Sequence, residues 1–173
     1  MNDALDFVIA EAAIRQLHAR YTDAVWRKDH VAFGDCFTED CEWRISGMIL
    51  RGRAEITQFI KDAFPRYRFI LINLRTPVLE VGDGRAWGRT YMSEQSMFAD
   101  GRPYGPIGVY YEHFLEQPDR WRFSWRLFHT SYSGPPDLSG SFFENEDFGP
   151  APAMPPRDAM SPDHTGILRK GRS

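Results

Sequence analysis

An α+β fold is the class that this sequence predicts, and three observations carry it. Apolar residues in the first third recur at helical spacing, as in Ile14, Leu17, Tyr21 and Val25. From Tyr67 onward the period changes to two, the mark of strands. Tight-turn signals punctuate that second part: Gly82-Asp83-Gly84, Asp100-Gly101 and Pro118-Asp119. Helices first, then a run of antiparallel strands, places helices on one face of a curved sheet.

The elements follow in order. Residues 5–27 read as a long amphipathic helix, with His18 and Trp26 at the edges of its apolar face. His30 to Phe37 reads as a short second helix, N-capped by Asp29. Thr38-Glu39-Asp40 reads as a turn, and Cys41 to Ile45 as a first strand. A third helix runs from Arg53 to Phe64 on the stripe Ile56, Phe59, Ile60 and Ala63, and Pro65 stops it. Tyr67 to Leu74 is a strand continuing past Arg75 and Pro77 to Val81; Arg85 to Phe98 and Gly108 to Glu116 are the next two. Trp121 to Tyr132 is the most strongly patterned run. Alternation sets Trp121, Phe123, Trp125 and Leu127 on one face, and Arg122, Ser124, Arg126, Phe128 and Thr130 on the other. Both faces carry large apolar groups, so this is expected to be a central strand with Arg126 buried in it. A buried guanidinium is costly unless it is paired or lines a site.

The 173 residues suit one domain and a sizeable core. Twenty-one basic against 24 acidic residues, scattered along the chain, give nucleic-acid binding little support. No apolar run is long enough for a membrane span. The N-terminus carries acids where an export signal would carry lysines. Cys36 and Cys41, the only cysteines, form no metal or redox motif and are expected as reduced thiols in a cytoplasmic protein. The five histidines are dispersed, no Gly-rich phosphate loop follows a strand, and no nucleophile elbow is present. No metal and no organic cofactor is therefore expected. After Ser133 the chain turns rich in Pro, Gly, Ser and Asp. Residues 1–133 are expected as the domain. Residues 134–173 are expected as an extended tail anchored by Leu138, Phe142, Phe143 and Phe148 on the domain or a partner subunit.

The ordered set IRQLHARYTDAVWRKD, FTEDCEW, RGRAEITQFI, NLRTPVLEVGDGRAWGRTYM, GVYYEHF and RWRFSWR resembles the SnoaL-like branch of the nuclear-transport-factor-2-like superfamily. The resemblance covers residues 8 to 133. It implies a cone: a strongly bent antiparallel sheet closed by three N-terminal helices around a deep apolar pocket, assembled as a homodimer or homotrimer. Relatives of this kind include scytalone dehydratase, hexachlorocyclohexane dehydrochlorinase, ketosteroid isomerase, polyketide cyclases and non-catalytic proteins. The dehydratase and dehydrochlorinase branch uses a His–Asp dyad as base. Its Asp position falls on Trp26 and its His position on Phe69, so both are lost. The family's pocket Arg falls on Arg126 and its pocket Trp on Trp43, both kept, and the aromatic position of the third long strand falls on Tyr110.

The same resemblance places Thr90, Met92 and Glu94 inward on one strand. It places Phe69, Leu71 and Asn73 inward on another, with Arg75 next on that face. The expected site is an aromatic cavity with sparse polar groups. Arg126, Glu94, Tyr21, Asn73 and Tyr110 are its catalytic candidates, and Trp26, Trp43, Phe69, Met92, Phe128 and Thr130 its substrate walls. Glu94 is the most interesting, since desolvation poises a carboxylate as a general base; a structural Glu94–Arg126 pair explains it as readily. Tyr21 and Tyr110 serve as acids or as capped core phenols, and Asn73 as an oxyanion donor or a strand-end tie. His18 is expected near the pocket edge, His113 outside it, and His129 as a core or interface histidine.

The leading functional expectation is a cofactor-independent lyase acting on an aromatic small molecule, by elimination or by formaldehyde-releasing C–C cleavage. The second form is similar to the diarylpropane lyases of lignin-dimer catabolism. Two alternatives stand beside it. One is a ligand-binding or assembly protein with a relict pocket, and the other a ketosteroid-isomerase-like isomerase using Glu94 and Tyr21.

Overall fold

The computed structural model describes residues 3–143. Among these residues are three α-helices, two that open the chain, α1 (Asp3–Arg27) and α2 (His30–Gly34), and α3 (Arg53–Ala63) after the first two strands. Nine strands make one sheet: β1 (Phe37–Ile45), β2 (Met48–Arg51), β3 (Tyr67–Leu74), β4 (Val78–Gly82), β5 (Arg85–Phe98), β6 (Pro103–Tyr104), β7 (Ile107–Glu116), β8 (Trp121–Ser133) and β9 (Ser141–Phe142). The order is β2-β1-β8-β7-β5-β3, with β4 and β6 also on β5 and β9 on β8. The sheet is curled into a half-barrel closed by the N-terminal helices, an α+β cone as expected. Its pairs are antiparallel except β1 with β8, which run parallel. The parallel pair arises because α3 and the long strands separate β1 from β8 in sequence.

The helices supply the packing that closes the cone. The α1 stripe of Ala10, Ile14, Leu17, Tyr21, Ala24 and Val25 is buried, and the helix packs on β3, β4 and β8. Asp29 caps α2 by accepting from the Val31 and Ala32 amides, at 3.1 and 2.9 Å. The second helix stops at Gly34, short of Phe37. At Gly34 the helix lies so close to α3 that a Cβ would come within 2.1 Å of Thr57 Oγ1. The chain then extends at once, and Thr38-Glu39-Asp40 is strand rather than turn. These three residues sit in a register shift between Phe37 and Glu42, so the turn-like stretch is carried as an irregularity within the strand that pairs with β8 on either side of it.

Two bulges reset which residues face the core. In β8 the register shifts between Phe123 and Trp125, opposite Phe114 and His113, so Ser124 is the extra residue. Phe123 therefore joins Arg126 in the interior, while Trp125 and Leu127 pack with Val109 and Tyr111 in a separate outer cluster. The strict alternation expected for Trp121 to Tyr132 fails at that point. In β3 a shift between Tyr67 and Phe69 has the same effect. Ile70 and Ile72 are buried, and Phe69, Leu71 and Asn73 are turned off the interior face assigned to them. The expected continuous strand also breaks at residues 75–77, leaving β3 and β4 as successive partners of β5.

The start of the tail is tied to the domain. The Tyr132 hydroxyl donates to the Pro135 carbonyl and accepts from the Gly140 amide, and β9 pairs with the end of β8. Phe143 is half-buried, whereas Leu138 and Phe142 are exposed. Phe148 and the rest of the expected tail lie outside the described residues. Among the described residues no helix is long and apolar enough to cross a membrane.

Candidate functional site

The interior of the cone holds a small cavity of about 130 Å³ between α1, α3 and the inner face of the sheet. Its wall includes Tyr21 from α1, Trp43 from β1, Phe59 from α3, Tyr67 from β3, Glu94 from β5 and Tyr110 from β7. Strand alternation along β5 and β7 brings Glu94 and Tyr110 inward, and the helical stripe does the same for Tyr21. Four of the predicted site residues therefore share one cavity: Tyr21, Trp43, Glu94 and Tyr110.

Glu94 is the one carboxylate on that wall. Its Oε1 is fully buried and has no hydrogen-bond partner. Burial pushes its pKa up to about 7, against a contact with Ser96 that lowers it. The group is thus poised between acid and base at neutral pH. The hydroxyls of Tyr21 and Tyr110 lie 3.4 Å apart. Burial raises both phenols above their ordinary range, and the Arg126 charge opposes that rise.

Arg126 is fully buried but lies behind the cavity wall rather than on it. Its guanidinium carbon sits 3.6 Å from the Tyr110 ring centre, 4.2 Å from Tyr21 and 4.3 Å from Phe123. Such stacking on aromatic faces is attractive, and more so when desolvated. Its partner is not Glu94. Nε of Arg126 donates to Oε1 of Glu112 at 2.6 Å, across the β7–β8 ladder. Oε2 of Glu112 takes the Thr90 hydroxyl at 2.5 Å and faces His18 Nε2 at 3.0 Å. Burial would raise Glu112, but the His18 and Arg126 charges hold its pKa at about 2. Sequence reasoning missed Glu112. Its signal was there in GVYYEHF, where Tyr110, Glu112 and Phe114 alternate on the inner face.

Besides Arg126, six predicted site residues lie off the cavity wall. Trp26 and Phe69 are 53% and 39% exposed and meet edge to face at 5.5 Å. Asn73 is turned to an outer groove with Arg75 by the β3 bulge. Met92 is buried in the core away from the cavity, on the strand pairing with Leu74 and Gly108. Phe128 packs behind Tyr110 at 4.8 Å, and Thr130 is fully buried one step further along β8. His18 is buried against Glu112, His113 stacks on Trp125 at 5.0 Å on the outer face, and His129 is buried.

The model of the SnoaL-like domain matches residues 7–126, which is most of the chain. The chain belongs to the SnoaL-like family. No curated protein matches it. Solved structures do. The crystal structure of LinA is 22% identical, with a TM-score of 0.71, covering 83% of this chain and 99% of its own. A type-3 LinA hexachlorocyclohexane dehydrochlorinase from Novosphingobium barchaimii LL02 is 19% identical, with a TM-score of 0.69 over 82% and 98% of the two chains. A protein provisionally assigned as a scytalone dehydratase, from Novosphingobium aromaticivorans DSM 12444, is 15% identical, with a TM-score of 0.73 over 82% and 96%. At these identities the likeness establishes the shared cone. This SnoaL-like chain has a polar cluster inside the cone, and Trp26 and Phe69, the two positions on which the dyad was expected to fall, meet as an aromatic pair.

Proposed function

We propose that this SnoaL-like protein is a cofactor-independent lyase whose substrate is a single-ring aromatic molecule held in the inner cavity. The observation that carries the reading is the unpartnered, buried oxygen of Glu94 on the same wall as the Tyr21–Tyr110 hydroxyl pair. The names of LinA-type dehydrochlorinases and of the scytalone dehydratase assignment among its structural neighbours support lyase chemistry. Cavity size supports one ring. A cavity of ~150 Å³ takes benzene, and this one measures about 130 Å³.

The chemistry needs only a base and a donor. Glu94 removes a proton from the carbon adjacent to the one that bears the leaving hydroxyl. The C–H electron pair becomes the new double bond, and the C–O bond breaks. Tyr21 or Tyr110 gives its proton to the departing oxygen, so water leaves, and Arg126 behind the rings stabilises the phenolate formed. In the deformylating version Glu94 takes the proton of a hydroxymethyl group. The O–H pair becomes the C=O of formaldehyde, and the C–C pair moves into the conjugated system as the leaving group departs with the tyrosine proton.

A second reading, an isomerase, is favoured by the same Glu94 facing phenols, since a carboxylate can move a proton between two carbons while a tyrosine holds an enolate oxygen. Product mass separates the two: a lyase loses water or formaldehyde, and an isomerase loses nothing. The test is turnover of single-ring aryl alcohols and diols by the wild type, Glu94→Gln and Tyr21→Phe. Glu94→Gln is expected to lose about 10²–10⁴-fold, and Tyr21→Phe about 10²-fold. Turnover that both variants retain in full overturns the assignment. Binding without turnover in the wild type favours a ligand-binding protein instead.

A further inference from the structure

The β3 bulge changes the inner cavity as well. In an unbroken strand Tyr67, Phe69, Leu71 and Asn73 would share one face. With Arg68 as the extra residue, Tyr67 instead falls on the face of Ile70 and Ile72, and all three line the cavity. Its ring packs on Phe98 with centroids 4.9 Å apart, and Lys28 Nζ donates to its carbonyl oxygen.

The Tyr67 hydroxyl has no hydrogen-bond partner among the described residues. It is not sealed in packing, as the unpartnered Trp43 Nε1 and Thr130 Oγ1 are. Burial, and after it the nearby Glu94 charge, raise the phenol above its ordinary range. The hydroxyl therefore keeps its proton and can donate. Strand register fixes its place in the cavity. Tyr110 stands opposite Thr90 on β5 and Tyr67 opposite Phe98, with Glu94 midway between those levels. Tyr21 and Tyr110 are 1% and 2% exposed, whereas Glu94 and Tyr67 are half-buried. The cavity thus has a pair of hydroxyls at its deep end, a carboxyl group at its middle and an unpartnered hydroxyl toward its mouth. Among the described residues no arginine, lysine or histidine lines it.

We propose that Tyr67 is a specificity-determining residue of this site, its hydroxyl donating to an oxygen on the substrate ring opposite the oxygen held by Tyr21 and Tyr110. The cavity then selects uncharged rings that carry oxygen groups at two opposite ends. The ring fills the cavity of about 130 Å³, and its outer substituent stands at the mouth. A carboxylate on the ring would meet the Glu94 charge with no cation on the wall to offset it. This role for Tyr67 rests on the lyase reading in one respect, that the inner cavity is where the substrate sits.

The test is calorimetry on the full chain with benzyl alcohol, 2-hydroxybenzyl alcohol, 4-hydroxybenzyl alcohol and 4-hydroxybenzoate. The 4-hydroxybenzyl alcohol is expected to bind about tenfold more tightly than benzyl alcohol and its 2-hydroxy isomer, as one added hydrogen bond supplies. The charged 4-hydroxybenzoate is expected to bind about tenfold more weakly than 4-hydroxybenzyl alcohol. Tyr67→Phe is expected to weaken 4-hydroxybenzyl alcohol about tenfold, to the level of benzyl alcohol. A Tyr67→Phe loss shared equally by benzyl alcohol marks a merely structural residue and overturns the proposal. So does a wild type that binds none of the alcohols, or that binds benzyl alcohol or 4-hydroxybenzoate as tightly as 4-hydroxybenzyl alcohol. Binding is read here without turnover, so the two readings fail separately. A Tyr67-dependent preference in a protein that converts no aryl alcohol supports the role of Tyr67 and counts against the lyase. Turnover with no such preference supports the lyase and overturns the role of Tyr67.

Discussion

Glu112 and Arg126 face each other across β7 and β8, with Oε1 of the carboxylate 2.6 Å from Nε of the guanidinium and both side chains wholly buried. Neither group lines the inner cavity. The pair is an internal brace. It carries a cation into the interior, neutralises it, and presses it against the rings of Tyr21, Tyr110 and Phe123.

Breaking that brace from one side is therefore expected to be severe. Arg126→Ala or Glu112→Ala should each cost about 3–5 kcal/mol, because each strands the opposite charge without water. Replacing both by apolar residues of similar volume should cost much less than the two single losses summed. Urea denaturation of the two single variants and the double variant checks this. Additive losses would show that the pair is not coupled.

Stability should also carry the signature of Glu94. The folded pKa is raised from the usual 4.5 to about 7, so the fold prefers the protonated form. Between those values the unfolded chain has released its proton and the folded one has not. This group's contribution is fully present below pH 4.5 and is lost as pH rises through 7. Glu94→Gln should remove that decline. Denaturant midpoints for both proteins across the window measure it, and parallel pH profiles would contradict it.

Cavity size makes its own prediction. Ile70 is buried on the cavity wall. Ile70→Ala should cost about 2–5 kcal/mol and enlarge the space beside Glu94. A two-ring ligand that the wild type excludes should then bind. Calorimetry with one-ring and two-ring aryl alcohols checks it, and an unchanged preference would place the ligand elsewhere.

The fold was legible because helical and strand periods occupy separate parts of the chain. Its three longest strands and two longer helices follow directly from that patterning. The site was legible only where alternation ran without a break. Along β5 and β7 it did, and Glu94 and Tyr110 lie on the cavity as expected. Along β3 and β8 single extra residues invert the faces, so Phe69 and Asn73 leave the interior and Phe123 enters it. A bulge has no reliable mark in one sequence, since Ser124 and Arg68 are ordinary strand residues. The partner of Arg126 was missed for another reason. Alternation along GVYYEHF sets Glu112 on the inner face, but its pairing with Arg126 becomes visible only once β7 and β8 are placed in register, with the two residues directly opposed.

The most direct test of the central claim is the titration of Glu94 itself, followed by ¹³C NMR of the labelled side-chain carboxyl and assigned with Glu94→Gln. A base poised in an apolar cavity requires a midpoint at about 7. A midpoint at the ordinary 4.5 would mean a solvated carboxylate with no special role, and the account of the site would fall.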